Sequence, residues 1–145
     1  MSLSPVPDAL DSAPSYELTV LPGELAVCRL TPDASLPGWA GTRGLWAAIR
    51  TPDELCVVCA DGDVPKEVTA EHGWAALQVK GPLEFSQVGV MAALASALAT
   101  AGVSLFALST YDTDYLLVKG ECLRDAVAAL RRAGHRVDWP SGGDW

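Results

Sequence analysis

The chain has 145 residues, half of them apolar, and a formal charge of −8. This length fits one compact unit or two very small ones, and the apolar content excludes global disorder. The acidic balance excludes nucleic acid and anionic membrane surfaces as partners, because no basic patch is available to neutralise phosphate. Small cationic or zwitterionic ligands remain open.

The two ends of the chain differ in composition from the rest. Residues 1–15 are rich in Pro, Ser and Asp and lack the basic and apolar regions of a secretion signal, so we expect a mobile leader. Residues 140–145 predict a loose tail. No segment approaches the roughly 20 apolar residues of a membrane helix. We therefore expect a cytoplasmic protein whose cysteines stay reduced.

Strand patterns dominate the first half of the sequence. The runs YELTVL and ELAVCRL within Tyr16–Leu30 are separated by Pro22-Gly23, a turn signal, and this pattern predicts a hairpin. Residues 31–44 predict a Pro- and Gly-rich loop, and two further strands follow over 45–50 and 54–60. We predict an N-terminal domain with weak helices over residues 16–72.

The second half alternates strands with two clear helices. Strand 74–80 is followed by a helix over 88–101, two strands around a polar turn within 103–118, a helix over 121–133 and a strand over 135–139. This order predicts helices packed on an antiparallel sheet. We assign residues 73–139 to a C-terminal domain.

Cysteine and histidine patterns argue against a metal or redox centre. Cys56 and Cys59 lie three apart in a predicted strand, so their side chains point to opposite faces and cannot share an ion. His135 follows a helix end, where a surface or capping role is expected. His72 has no partner nucleophile, although it precedes a candidate ligand region. The sequence therefore predicts no metal and no cofactor.

Two segments predict a binding site. Within Lys80–Leu94, a helix begins near Val88-Gly89, and its first amides can donate hydrogen bonds to a carboxylate because they carry the positive end of the helix dipole. In the alternative interpretation, Ser86 is an ordinary N-cap and Gly89 a packing contact. The turn around Asp112 and Asp114 can hold an ammonium or guanidinium group. Alternatively, Asp112 only favours a tight turn.

Several segments resemble a known family. RTPDELCVVC, WAALQVKGPLEF, VGVMAAL and LATAGVSLFALSTYDTDYLLV are similar to small bacterial proteins built from two ACT-type domains, a family related to the amino-acid-binding modules of cytosolic arginine sensors. The resemblance spans residues 16–137. It implies an α+β fold of two ferredoxin-like βαββαβ units with antiparallel sheets, paired sheets between domains or subunits, and effector binding at a domain interface.

The resemblance also implies which residues contact a ligand. Two positions differ from the arginine sensor, because Gln87 replaces an acid and Thr113 replaces an aromatic residue, so a related amino acid is favoured over arginine. Asp114 corresponds to the key acid of the sensor's ligand-contacting turn. The implied ligand-binding residues are Glu71, Ser86, Gln87, Gly89, Thr110, Tyr111, Thr113 and Asp114.

We therefore predict a regulatory protein without catalysis that binds an amino acid, forms a homodimer and acts on an unidentified partner protein. A ligand-free interaction or dimerisation module is the first alternative. A small enzyme that uses Asp112 and Asp114 as acid and base is the weakest, because no positioned nucleophile, cofactor loop or metal set accompanies them.

Overall fold

Eight strands and two α-helices form the part of the chain that the computed structural model describes, residues 14–84 and 88–140. Neither described helix is long and apolar enough to cross a membrane. Two 3₁₀ turns, Asp61–Asp63 and Gly120–Cys122, complete the regular structure. The strands are β1 (Glu17–Val20), β2 (Leu25–Leu30), β3 (Ala47–Arg50), β4 (Leu55–Ala60), β5 (Thr69–Val79), β6 (Phe106–Ser109), β7 (Asp114–Lys119) and β8 (Arg136–Asp138), and the helices are α1 (Val90–Thr100) and α2 (Leu123–Arg132).

Strand β5 is shared by both halves of the molecule. Its first half pairs with β2 and its second half with β1, while β7 pairs along the opposite edge from Trp74 to Gln78. It begins at Thr69 and runs through the boundary that we predicted between residues 72 and 73. All eight strands therefore belong to one sheet.

The predicted hairpin of Tyr16–Leu30 is wrong. Strands β1 and β2 do not pair with each other but lie end to end along β5, both antiparallel to it. Leu21 N donates to Ala76 O at 2.9 Å and continues the contact across the break. Gly23, at φ +82°, offsets the chain without reversing it. A Pro-Gly pair predicts a break in a strand. Whether the chain then reverses or continues in the same direction depends on which edge of a neighbouring strand it can pair with.

The two halves have related strand orders but different connections. In the first, β3-β4-β2-β5, the crossovers over residues 31–46 and 61–68 contain only loops and one 3₁₀ turn. In the second, the order strand–helix–strand–strand–helix–strand is complete from β5 to β8, with β1 inserted between β5 and β8. The fold is thus α+β as predicted, with both helices of the described residues in the C-terminal half.

The main core lies between the two helices and one face of the sheet. In α2, Leu123, Ala126, Val127 and Leu130 recur at the helical spacing of the sequence, and all four are buried. Full burial of each large aliphatic side chain contributes roughly 1.5–3 kcal/mol, so this layer accounts for much of the stability. The buried residues of the helices are Val90, Leu94 and Leu98 in α1 and Leu123, Ala126, Val127, Ala129 and Leu130 in α2.

A second apolar cluster joins the two halves on the opposite face of the sheet. Leu25 of β2 and Val58 of β4 share it with Ala76 of β5, Leu108 of β6 and Leu117 of β7. Because both halves bury side chains in the same cluster, they pack as one body.

His135 anchors the inserted strand β1 and is not the surface residue that the sequence suggested. Its side chain is 6% exposed, its Nδ1 accepts the backbone N–H of Tyr16 at 3.1 Å, and the two rings stack at 5.5 Å. At the end of the predicted leader, Ser15 Oγ donates to Gly134 O at 2.7 Å. An Nδ1 that accepts a hydrogen bond must be unprotonated, and burial lowers the pKa of His135.

We expect stability to fall as the pH drops from about 6.5 toward the lowered pKa of His135, because the unfolded chain binds the proton more readily than the folded one. Below the folded pKa this contribution is lost. Urea unfolding at a series of pH values from 7.5 to 5 measures this fall in the free energy of unfolding. The fall should be smaller in His135→Phe, which keeps a ring but has no titrating group. An equal fall in His135→Phe would contradict the assignment.

Candidate functional site

The predicted helix start and the predicted acidic turn both line one cavity of about 350 Å³. The turn joins β6 to β7, and the helix start precedes α1. The short segment after β5 forms a third wall. The lining residues are Leu83, Glu84, Gly89, Val90, Met91, Ala92, Ser109, Thr110, Tyr111, Asp112, Thr113 and Asp114.

The turn between β6 and β7 is tight and closed by internal hydrogen bonds. Thr110 N donates to Thr113 O at 2.8 Å, and Thr113 N donates to Thr110 Oγ1 at 3.3 Å. Tyr111 and Asp112, the two central residues, are exposed. A threonine that bonds to the backbone two or three residues ahead favours such a turn, and Asp at the tip favours it further. The sequence therefore specifies this turn locally.

Asp114 is the first residue of β7 and is partly buried. Its Oδ1 accepts a hydrogen bond from Ser109 Oγ at 2.7 Å, which orients the carboxylate across the end of the β6–β7 pair. A carboxylate has several further lone-pair sites, so this bond leaves Asp114 able to accept a ligand N–H.

The helix start supplies the opposite polarity. Gly89 is the N-cap at φ +85°, and the first intrahelical bond runs from Ala93 N to Gly89 O at 2.9 Å. The amides of Val90, Met91 and Ala92 precede that bond and have no acceptor within the helix. A Cβ on Gly89 would meet no atom within 4 Å, so glycine is required there by its backbone conformation and not by a close neighbour.

The third wall is held against the turn. Leu83 N donates to Asp112 O at 2.6 Å, across from the tip of the turn. A Cβ on Gly81 would lie 2.9 Å from Asp112 O, so the two segments are in direct backbone contact. Glu84 follows and adds a carboxylate to the lining, which sequence reasoning missed although an acid between a strand end and a helix start was a visible signal.

The structure brings together five of the eight predicted ligand-binding residues. Gly89, Thr110, Tyr111, Thr113 and Asp114 line the cavity; Ser86 and Gln87 lie outside the described residues.

Glu71 is not brought to this cavity. It lies near the opposite end of β5 from Val79, roughly 26 Å away along the strand at about 3.3 Å per residue. Its carboxylate accepts from Lys119 Nζ at 3.2 Å. His72 is also at that end, where its Nδ1 lies 2.8 Å from Asp61 Oδ1.

The charges around the cavity favour a molecule with a positive and a negative end. Glu84, Asp112 and Asp114 contribute three carboxylates, and the described lining residues include no Lys, Arg or His. The helix amides carry the positive end of the helix dipole and favour an anion. An ammonium group near the acids and a carboxylate near the helix start would satisfy both sides.

The cysteines form no competing centre. Cys56 and Cys59 lie on opposite faces of β4, as predicted, and pack into different apolar clusters. Burial and the neighbouring Cys59 raise the pKa of the Cys28 thiol to about 12, and burial also raises the pKa values of Cys56 and Cys59. Thiols with raised pKa values are poor nucleophiles and metal ligands. Across the described ranges, no cluster of three or more His, Cys, Asp or Glu side chains suits a metal ion.

Comparison with known families divides the chain near the start of β5. A model of the ACT domain matches residues 69–132, and a model of an N-terminal domain matches residues 23–67. Residues 69–132, which include the turn and the helix start, are thus an ACT-type module. A search of the curated proteins gave no match.

Solved structures with the same fold include proteins from several bacteria. Protein Atu0741 from Agobacterium tumefaciens is 34% identical, with a TM-score of 0.83 over 88% of this chain and 95% of that chain. VC0802 from Vibrio cholerae, a protein of unknown function and possible transport protein, is 22% identical, with a TM-score of 0.68 over 82% and 90%. The regulatory subunit of aspartate kinase from Thermus flavus is 13% identical, with a TM-score of 0.57 over 80% and 95%. The last two similarities show the fold alone.

Replacing Gly89 tests the helix start. Gly89→Ala should lower the free energy of unfolding by about 1–2 kcal/mol because alanine is strained at positive φ, while Gly89→Asn should lower it less. Urea denaturation measures both. Gly38→Ala is the control, because Gly38 has no positive φ and a methyl group there would meet no atom within 4 Å. Equal stabilities of Gly89→Ala and wild type would contradict the left-handed N-cap.

Proposed function

Because this chain belongs to the same family as protein Atu0741 of Agobacterium tumefaciens and contains an ACT domain over residues 69–132, we propose that it is a non-catalytic regulatory protein that binds an amino acid. The observation that carries this proposal is that an acidic turn and a helix start line one cavity. The fold that the chain shares with the regulatory subunit of aspartate kinase is consistent with a regulatory role.

The ligand would bridge the two sides of the cavity. Its α-carboxylate would accept hydrogen bonds from the amides that precede Ala93, and its ammonium would meet Asp114. Ser86 and Gln87 would contribute from the segment before the helix, as the resemblance to the arginine sensors implies. One ammonium group balances only one of the three lining carboxylates, so basic amino acids should bind more tightly than acidic ones.

Regulation would follow from linkage. A ligand that binds one arrangement of domains or subunits more tightly shifts the population toward it, and a partner protein reads that arrangement. Val88, next in sequence to the lining residue Gly89, and Tyr111, itself a lining residue, are 90% and 80% exposed. Burial of exposed apolar side chains of this size favours association, so we propose that a second copy covers this rim in a homodimer.

A protein-interaction module without a ligand is the second candidate. The edge strand β3 supports it, because Ile49 is 51% exposed and Trp46, just before the strand, is 41% exposed. An exposed apolar edge strand is a template for pairing with another chain. This function would need β3 and not the cavity.

A thermal-shift screen of the 20 proteinogenic amino acids tests ligand binding. At ligand concentrations near 100 times Kd, a specific ligand should stabilise the native state by roughly 2.7 kcal/mol. Basic amino acids should give the largest shifts. No shift with any of them, at concentrations up to the millimolar range, would favour the interaction module.

Asp114→Asn tests the site with the best ligand from this screen. It removes the charge but keeps the shape, so it removes a contact worth roughly 1.5–3 kcal/mol. Affinity measured by calorimetry should fall about ten- to a hundredfold, with a smaller effect on folding. Asp33→Asn, an exposed acid outside the cavity, is the matched control and should bind as wild type. Unchanged affinity in Asp114→Asn would exclude Asp114 from the site.

Sedimentation equilibrium tests the homodimer. We expect a dimer mass at micromolar concentrations, and a weaker dimer in Val88→Asp, which places a charge on the proposed apolar rim. Leu36→Asp, at 45% exposure in the loop before β3, is the control and should leave the mass unchanged. A monomer mass up to near-millimolar concentration would exclude this assembly.

A further inference from the structure

Thr113 lines the cavity, yet its hydroxyl is already engaged inside the protein. The residue is 5% exposed, and Oγ1 donates to Val79 O, the last residue of β5, at 2.5 Å. Its backbone N–H donates to Thr110 Oγ1 at 3.3 Å. A hydroxyl has one proton to donate, so Oγ1 cannot donate to a ligand while it holds Val79.

The contact between Thr113 and Val79 belongs to a larger attachment of the turn to the end of β5. Leu83 N donates to Asp112 O at 2.6 Å, directly beside it. A Cβ on Gly81 would lie 2.9 Å from Asp112 O, too close without a shift of the backbone, and 3.1 Å from Thr113 Cβ, an unusually tight contact. Glycine at residue 81 thus permits the close approach that the Thr113 hydroxyl then fixes.

We infer that Thr113 is a positioning residue and not a hydrogen-bond donor to the ligand: through its bond to Val79, and with Gly81 permitting the close approach, it sets the distance between the acidic turn and the wall that leads to α1. This inference rests on the proposed function, because the spacing matters only if a ligand bridges the cavity. Asp114 follows Thr113 directly in the chain, so a shift of the turn displaces the carboxylate that would receive the ammonium.

The attachment also connects the cavity to the inserted strand. Val79 pairs with Leu18 of β1, and Lys80 N donates to Glu17 O at 2.8 Å. The carbonyl oxygen that accepts the Thr113 hydrogen bond therefore belongs to a residue that also pairs with β1. The turn is fixed to a strand inside the sheet and not to a free loop.

Amide hydrogen exchange of the protein without ligand tests the attachment. Thr113→Val keeps the branched shape but lacks the donor, so the amides of Leu83 and Thr110 should exchange about tenfold faster by local opening. Amides of β4 should change only as much as global stability does. Thr113→Ser keeps the hydroxyl and should exchange as wild type. Thr100→Val, on an exposed helix end where Oγ1 bonds to Ser96 O, is the matched control.

Unchanged exchange of Leu83 and Thr110 in Thr113→Val would overturn the inference, and so would an increase no larger than that of β4. This readout needs no ligand, so it tests the attachment of the turn to β5 separately from the proposed function. If no amino acid binds in the thermal-shift screen, the proposed function fails. The claim that Thr113 positions the turn for a ligand then fails with it, whatever the exchange rates of Leu83 and Thr110 are.

Calorimetry with the amino acid that gives the largest thermal shift completes the test. Affinity should fall about tenfold in Thr113→Val and return in Thr113→Ser. Gly81→Ala should also weaken binding, because its methyl pushes the turn away from β5. Weaker binding in Thr113→Val with unchanged Leu83 exchange would mean that the hydroxyl contacts the ligand, and would overturn the inference.

Discussion

The backbone hydrogen bonds along both edges of β5 are the constraint on which the rest of the molecule depends. An 11-residue strand in the middle of a sheet leaves polar backbone groups on two sides, and each must find a partner where water is excluded. Strands β1 and β2 cover one edge in sequence and β7 covers the other. Because the N-terminal strand is needed to fill the space between β5 and β8, the C-terminal module is completed by residues from the far end of the chain.

The position of the cavity follows from the end of that strand. Where β5 stops at Val79, the chain turns through Gly81 toward α1, and the β6–β7 turn comes alongside. A strand end, a helix start and a tight turn are places where backbone groups remain outside regular pairing. Their convergence places the positive end of a helix dipole and several carboxylates around one small volume, which suits a ligand that carries both a negative and a positive group.

The N-terminal half contributes to the molecule differently from the ACT-type module. Its strands keep a related order, but its crossovers contain loops in place of α-helices, and its second face packs against the module. One side of β4 packs under the loop that holds Trp39 and Ala40, and the other joins the shared cluster. This half therefore supplies part of the shared apolar cluster and an edge strand, while the cavity belongs wholly to the described part of the C-terminal half.

Local patterns determined the α+β class, both helices, the buried face of α2, the opposed faces of Cys56 and Cys59, and the tight turn with its acids, because each depends on residues close in sequence. Long-range pairing was not determined in this way. The alignment of β1 with β5, the burial of His135 and the separation of Glu71 from the cavity depend on which distant strand edge satisfies which backbone groups. Only the tertiary structure decides among edges that look alike in sequence, since the free energy of each pairing is set by residues brought together from elsewhere in the chain.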